Sequence, residues 1–210
     1  MKIAIIANGA IEDYAYAKEI AQSRDYLIAC DGGAVHALKV EIVPDLIIGD
    51  MDSAPKEAID ELLRHGSKQI IFPEEKDDTD FALAMERALS MNPSSICVLG
   101  ALGGRFDHAL ANVHVLIAAA KRGVPAEIIG DACAMQIIES EAEIEKSRYE
   151  NISLIPISNE VTGITTRGLK YKLNGETLRI GTTRGVSNRF EGETASVKIE
   201  SGLLLAVRSV

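Results

Sequence analysis

The sequence predicts an α/β protein: a Rossmann-like, mostly parallel sheet with helices on both faces, followed by an antiparallel β-sandwich. Three observations carry this. Up to about residue 130, short apolar runs alternate with longer segments of helical periodicity. After Gly130 the long helical patterns stop, and short strand-like runs separated by turn residues replace them. Several apolar runs of the first part also end in polar, glycine-rich sequence, the pattern expected where strand C-termini meet ligand-binding loops. The expected domains are residues 1–130 and 131–210.

In the first part the spans Lys2–Ala7, Tyr26–Cys30, Leu46–Ile48, Gln69–Phe72, Ser95–Leu99 and Ala126–Ile129 read as strands buried on both faces. Between them Ala54–His65, Thr79–Ser90 and Asp107–Lys121 carry apolar residues at helical spacing. In the second part Ala134–Ile138, Ile152–Ile157, Gly163–Thr166, Thr177–Ile180, Ala195–Glu200 and Leu203–Val207 read as strands of a sandwich or small barrel. Leu173-Asn174-Gly175-Glu176 reads as a hairpin turn.

Composition narrows the function classes. A hydrophobic content of 47% with 25% charged residues is that of a globular protein with a sizeable core. A net charge of −9 argues against a non-specific nucleic-acid binder, which needs a basic surface. No apolar run approaches the roughly 20 residues of a membrane span. The three cysteines, Cys30, Cys97 and Cys133, are far apart; Cys30 and Cys97 lie in apolar runs, which predicts buried thiols in a reducing, cytoplasmic setting.

The acid is concentrated: seven of the twelve aspartates lie between Asp45 and Asp80. Four loops follow the predicted strands: Asp31-Gly32-Gly33-Ala34, Gly49-Asp50-Met51-Asp52-Ser53, Asp77-Asp78-Thr79-Asp80 and Gly103-Gly104-Arg105-Phe106-Asp107-His108. In a parallel sheet these loops share one edge and can converge on one ligand. Any one of them is explained by turn and cap chemistry: Ser53 as a helix cap with Pro55 in the first turn, Asp107 as another cap, His108 as a structural histidine. Four in register are not. Asp50, Asp52, Asp77 and Asp80 are candidate magnesium ligands, because this cation takes carboxylates together with water and phosphate oxygens. Gly103 and Gly104 allow backbone to approach a phosphate, and Arg105 offers a planar, bidentate donor. Asp31, Gly32 and Gly33 can meet a phosphate or ribose at a helix N-terminus, and Asn8, just past the first strand, joins them as a nucleotide-binding candidate. There is no Gly-x4-Gly-Lys-Ser/Thr, no Gly-x-Gly-x-x-Gly and no Gly-x-Ser-x-Gly. The inventory fits metal-assisted phosphoryl transfer without a covalent intermediate.

Taken in order, the four loops resemble the bacterial thiamine pyrophosphokinase family, and Gly185-Val186-Ser187-Asn188 is similar to that family's thiamine-side motif. The likeness covers nearly the whole chain. It implies a catalytic domain followed by a thiamine-binding sandwich, a homodimer, and transfer of the diphosphoryl group of ATP to thiamine, with magnesium and with AMP as the other product. It implies catalytic roles for Asp50, Asp52, Asp77, Asp80, Arg105 and Asp107, nucleotide contacts from Asn8, Asp31, Gly32, Gly33, Gly103, Gly104, Arg105 and His108, and thiamine contacts from Asp80, Ser187 and Asn188. Thiamine is expected between the catalytic domain of one subunit and the sandwich of the other. Some members carry a tryptophan near this last motif. This chain has none, and Phe190 is the aromatic residue beside it. Asp77 and Asp107 are the candidate bases. A pyrophosphokinase acting on a pterin alcohol and a non-catalytic nucleotide sensor remain as alternatives.

Overall fold

The computed structural model describes residues 1–210, which divide into two compact units, Met1–Asp131 and Ala132–Val210. The first unit runs β1 (Lys2–Ile6), α1 (Tyr14–Gln22), β2 (Tyr26–Cys30), α2 (Gly33–Lys39), β3 (Leu46–Gly49), α3 (Lys56–Arg64), β4 (Lys68–Ile71), α4 (Asp80–Leu89), β5 (Ser95–Leu99), α5 (Phe106–Ala120) and β6 (Ala126–Ile129). Its strands lie in the order β6-β5-β1-β2-β3-β4, and every neighbouring pair is parallel. The order runs outward from β1 to β4 and then returns to β1's other side with β5. The gap between β1 and β5 is therefore the point where the winding reverses, the usual ligand crevice of such sheets.

The central strands are continuous apolar runs because helices cover both of their faces. Ala4, Ile6, Leu27, Cys97 and Leu99 pack with residues of α1 and α2, while Ala29 and Ile47 pack with α2 and α3. Helix α4 packs on β1, β2 and β3 and beside α5. Residues such as Ile5, Ile28 and Ile47 are fully buried, each contributing about 2 kcal/mol through the apolar area withdrawn from water. Strand β4 departs from the expectation of burial on both faces: Ile71 is 62% exposed and β4 pairs only with β3. An apolar run of this length reads the same at an edge as at the centre, because the sheet position is set by pairing that the local sequence does not encode.

The helix starts also separate cap from site. Thr79 accepts from the Ala82 amide at 3.2 Å and caps α4, leaving the neighbouring aspartates free of that task. Helix α3 begins after Pro55 with no side-chain cap, so Ser53 is not its cap; its hydroxyl turns to Asp52 instead. Asp107 is not the cap of α5, which starts at Phe106.

The second unit consists of β7 (Cys133–Ile138), β8 (Glu141–Glu145), β9 (Asn151–Pro156), β10 (Glu160–Arg167), β11 (Asn174–Arg179), β12 (Asn188–Arg189), β13 (Thr194–Lys198) and β14 (Leu204–Ser209). These form two antiparallel layers, β12-β9-β14-β7 and β11-β10-β13-β8. Ile152, Leu154 and Leu204 of one layer meet Val161, Ile164 and Val197 of the other in a single core. This is a sandwich. Asn174-Gly175 is not a hairpin turn. Ile164 pairs with Glu176 and Thr165 with Asn174, so Gly175, at φ 70°, is an extra residue bulged out of the ladder.

Candidate active site

The loops that end β1, β2, β3, β4 and β5 lie on one edge of the parallel sheet. At the winding reversal, the Gly9 amide donates to the Gly100 carbonyl and the Ala10 amide to that of Leu102 at 2.8 Å, so the loops after β1 and β5 are bonded together. His36 supports them from α2: one ring nitrogen bonds the Gly9 carbonyl at 2.8 Å and the other the Tyr14 hydroxyl at 2.8 Å. Because a carbonyl only accepts, Nε2 carries the proton and Nδ1 accepts from Tyr14. Burial holds His36 below its ordinary pKa and favours this neutral form. Two glycines of α2's start are required by close approach. A Cβ on Gly33 would lie 2.0 Å from the Ile6 carbonyl oxygen, and one on Gly32 would lie 2.1 Å from the Asn8 side chain. Asn8 thus covers Gly32 directly.

Beside this crevice, three carboxylates converge. Oxygens of Asp31, Asp50 and Asp52 all lie within 4.8 Å of one another. Asp31 is 7% exposed and sits at φ 47°, a conformation unfavourable for a residue with a Cβ. It is fixed there by bonds to β3 and its loop, since its amide donates to the Ile48 carbonyl and its Oδ1 accepts from the Ser53 amide. Gly49 leaves room for it: a Cβ there would stand 3.0 Å from that of Asp31. The Asp50 carboxylate accepts from the Asp52 amide at 3.2 Å, with Met51 between them at φ 65°. This strained turn aims both carboxylates the same way.

Asp80 enters from the first turn of α4, and Lys76 links it to the cluster. The ammonium group lies 2.8 Å from Asp50 and 3.2 Å from Asp80. Its hydrogen bond lowers the pKa of Asp50 and that of Lys76 rises in turn, so both stay ionised. Burial raises that of Asp80 despite Lys76. Cys30, buried at the end of β2 under these groups, has its thiol pushed upward by burial and is inert.

The structure therefore groups Asp50 and Asp52 with Asp31, for which the sequence predicts nucleotide contacts, and it leaves Asp77 exposed outside that group. Lys76 was missed altogether. Its signal was present, as a lysine four residues before Asp80, but a lone lysine in an acidic loop reads as solvated. Gly103, Gly104, Arg105, Asp107 and His108 are exposed beside the crevice. Arg105 grips Asp107 through two nitrogens, at 2.6 and 3.2 Å, and this holds the Asp107 pKa down at about 2. Asn112, one turn beyond His108, donates to the Ala101 carbonyl and anchors that loop.

The second unit has its own cavity of about 260 Å³, lined by Leu154, Tyr171, Lys172, Leu173 and the segment Arg184–Asn188. Ser187 is exposed at φ 62° and its amide donates to the Ser153 hydroxyl. Asn188 is 6% exposed, and its carboxamide is taken up by its own unit: Oδ1 accepts from the Tyr171 and Arg189 amides and Nδ2 donates to the Tyr171 carbonyl. Phe190 packs against the sandwich core, whereas Tyr171, 61% exposed, is the aromatic residue on the cavity wall.

Comparison with known proteins agrees with this division. The family model described as thiamin pyrophosphokinase, catalytic domain, matches residues 17–128, and that described as thiamin pyrophosphokinase, vitamin B1 binding domain, matches residues 138–204. The chain belongs to the thiamine pyrophosphokinase family. It is 31% identical over 184 residues to the thiamine pyrophosphokinase of Bacillus subtilis, covering 87% of this chain and 86% of that relative. It is 32% identical over 175 residues to thiamine pyrophosphokinase 2 of Arabidopsis thaliana, covering 78% and 65%. Among solved structures, that of the Bacillus subtilis family member superposes with a TM-score of 0.86 at 29% identity over 100% of this chain and 99% of that one. The yeast thiamin pyrophosphokinase shares the fold at a TM-score of 0.81 and 19% identity, over 100% and 86%.

Proposed function

We propose that this family member transfers the diphosphoryl group of ATP to the hydroxyl of thiamine, giving thiamine diphosphate and AMP. The observation that carries this reading is the convergence of Asp31, Asp50 and Asp52 beside the glycine-lined crevice between β1 and β5, in a chain that matches both domains of the family. The match to a vitamin B1 binding domain favours thiamine over a pterin alcohol, and the number of carboxylates at the crevice favours turnover over sensing.

The donor set fits magnesium: three hard carboxylates at mutual distances that repel unless a cation offsets them. Asp31, Asp50 and Asp52 would hold it, with Asp77 on the β4–α4 loop and Asp80 at the start of α4, and bound magnesium would offset charge on the phosphates. The chain's own groups do the rest. Asn8, Gly32 and Gly33 receive the nucleotide at the start of α2, and Gly103 and Gly104 bring backbone close to the phosphates. Arg105 exchanges Asp107 for phosphate oxygens, and His108 stands beside them in the first turn of α5. The thiamine oxygen forms its bond to the β-phosphorus as the bond from that phosphorus to the α,β-bridging oxygen breaks, and the hydroxyl proton passes to a carboxylate. Asp77 and Asp107 are the candidate acceptors: Asp107 is held at a pKa of about 2 while Arg105 grips it and becomes the better acceptor once that contact is exchanged for phosphate. Catalysis is then chiefly positioning and charge neutralisation. In the second unit Ser187 and Tyr171 face thiamine, with Asn188 fixing the Tyr171 backbone and Ser153 holding the Ser187 amide.

A homodimer and a cytoplasmic setting belong to the same reading. The exposed pair Phe106 and Leu110 on α5 supports the first, and three unpaired cysteines the second. No helix is long and apolar enough to cross a membrane.

The test is an assay with ATP, magnesium and either thiamine or a pterin alcohol, with AMP separated from ADP. Thiamine-dependent AMP is expected. Asp52→Asn, at an exposed position, should cut turnover about 100-fold or more while leaving the fold intact. ADP as product, or full activity of that variant, would overturn the reading.

A further inference from the structure

Lys76 lies in the loop between β4 and α4, and three oxygens surround its ammonium group: Asp50 Oδ2 at 2.8 Å, Asp80 Oδ1 at 3.2 Å and the Pro73 carbonyl at 3.2 Å. The contacts to Asp50 and Pro73 are hydrogen bonds, whereas Asp80 Oδ1 is held by ion pairing alone and accepts no hydrogen bond. Its side chain and that of Asp50 are each 13% exposed, and that of Asp80 is 22% exposed. A surface lysine keeps its rotamer freedom and its water, and its ion pairs contribute little. One withdrawn to this degree has given up both, and the negative charge around it offsets that loss. Lys76 is the cation that the ion pairs give to Asp50 and Asp80, and Arg105 is engaged with Asp107.

Asp50 is shared. It belongs to the cluster with Asp31 and Asp52 while its Oδ2 receives Lys76. We propose that Lys76 is a tethered cation holding the place between Asp50 and Asp80 that a second divalent ion would otherwise take, so that the nucleotide-free protein binds one such ion, at Asp31, Asp50 and Asp52. A divalent ion bridging Asp50 and Asp80 would need to stand at roughly 2.1 Å from an oxygen of each, within the volume of the ammonium group, and two cations so close repel. The tether also fixes the Asp50 carboxylate before any metal arrives and ties the β4–α4 loop to the β3–α3 loop. Lys76 is in this sense a positioning residue. The proposal rests on the metal reading given above.

The test uses the full chain without nucleotide and Mn²⁺ as the probe, free Mn²⁺ being followed by electron paramagnetic resonance. One Mn²⁺ per chain is expected for the unaltered protein, with at least a tenfold loss of affinity in Asp52→Asn. Lys76→Gln should take up a second Mn²⁺, and Lys76→Arg, which keeps the charge, should stay at one. At limiting magnesium the turnover of Lys76→Gln should fall about tenfold and recover as magnesium is raised. An unaltered protein that binds no Mn²⁺ overturns the metal reading itself. Two ions in the unaltered protein, or one in Lys76→Gln, overturn the role of Lys76 while leaving the metal reading standing. Two ions in the unaltered protein overturn the role of Lys76 even where a variant does not fold.

Discussion

Three hydrogen bonds from the Asn188 carboxamide fix the Tyr171 backbone and the Arg189 amide inside the second unit. Asn188→Ala removes them and leaves part-buried peptide groups without these partners, a cost of about 1–2 kcal/mol. Calorimetry should show a lower melting temperature, together with a raised KM for thiamine and an unchanged KM for ATP. An unchanged melting temperature would return Asn188 to the role of a simple ligand contact. At this scale the acidic and glycine-rich positions were legible from residue type and spacing alone. The grouping of Asp31 with Asp50 and Asp52 was not, because these come from different loops and meet only through the pairing of β2 with β3. Lys76 was hidden for the same reason: its meaning depends on Asp50, 26 residues away.

The turn from β2 into α2 shows how one element serves both fold and site. A Cβ at Gly33 would meet the backbone of Ile6, which cannot yield without displacing the central strand. A Cβ at Gly32 would meet the Asn8 side chain, which is exposed and can turn away. Gly33→Ala should therefore destabilise the first unit by about 2–3 kcal/mol, read as a shift of the urea midpoint. Gly32→Ala should leave that midpoint within about 1 kcal/mol and raise KM for ATP instead. Equal shifts for the two would show that Asn8 is held as firmly as the strand. Elements were legible where a pattern is local, as in the apolar runs of β1, β2 and β5 and the periodic α4. Strand β8, alternating Glu-Ala-Glu-Ile-Glu, has only Ile144 buried, too little apolar signal to be read as a strand. The bulge at Gly175 looked like a turn because the same left-handed residue serves both.

Over the whole molecule, the charge of −9 and the converging carboxylates of the first unit mean that, on the proposed magnesium reading, stability should rise with divalent cation. A cation that binds only the folded chain adds about 2.7 kcal/mol at a hundredfold excess over its Kd, which for this length is a rise of roughly 5–10 °C in melting temperature. Scanning calorimetry should show that rise with magnesium and its absence in Asp52→Asn, whose metal-free form should melt no lower than the unaltered protein because one repelling charge is gone. A rise that survives in Asp52→Asn would place the cation elsewhere. The sequence by itself determined the two-part architecture, the parallel sheet and the sandwich, and the acidic and glycine-rich loops that end the parallel strands, since periodicity, turn residues and residue type are local properties of the chain. Only the tertiary structure decided that β4 is an edge, that Asn188 is committed to its own unit, that Tyr171 rather than Phe190 lines the cavity, and that Lys76 stands among the carboxylates. Those depend on which distant residues are brought within 3 or 4 Å, and strand order and loop closure set this where local propensity does not.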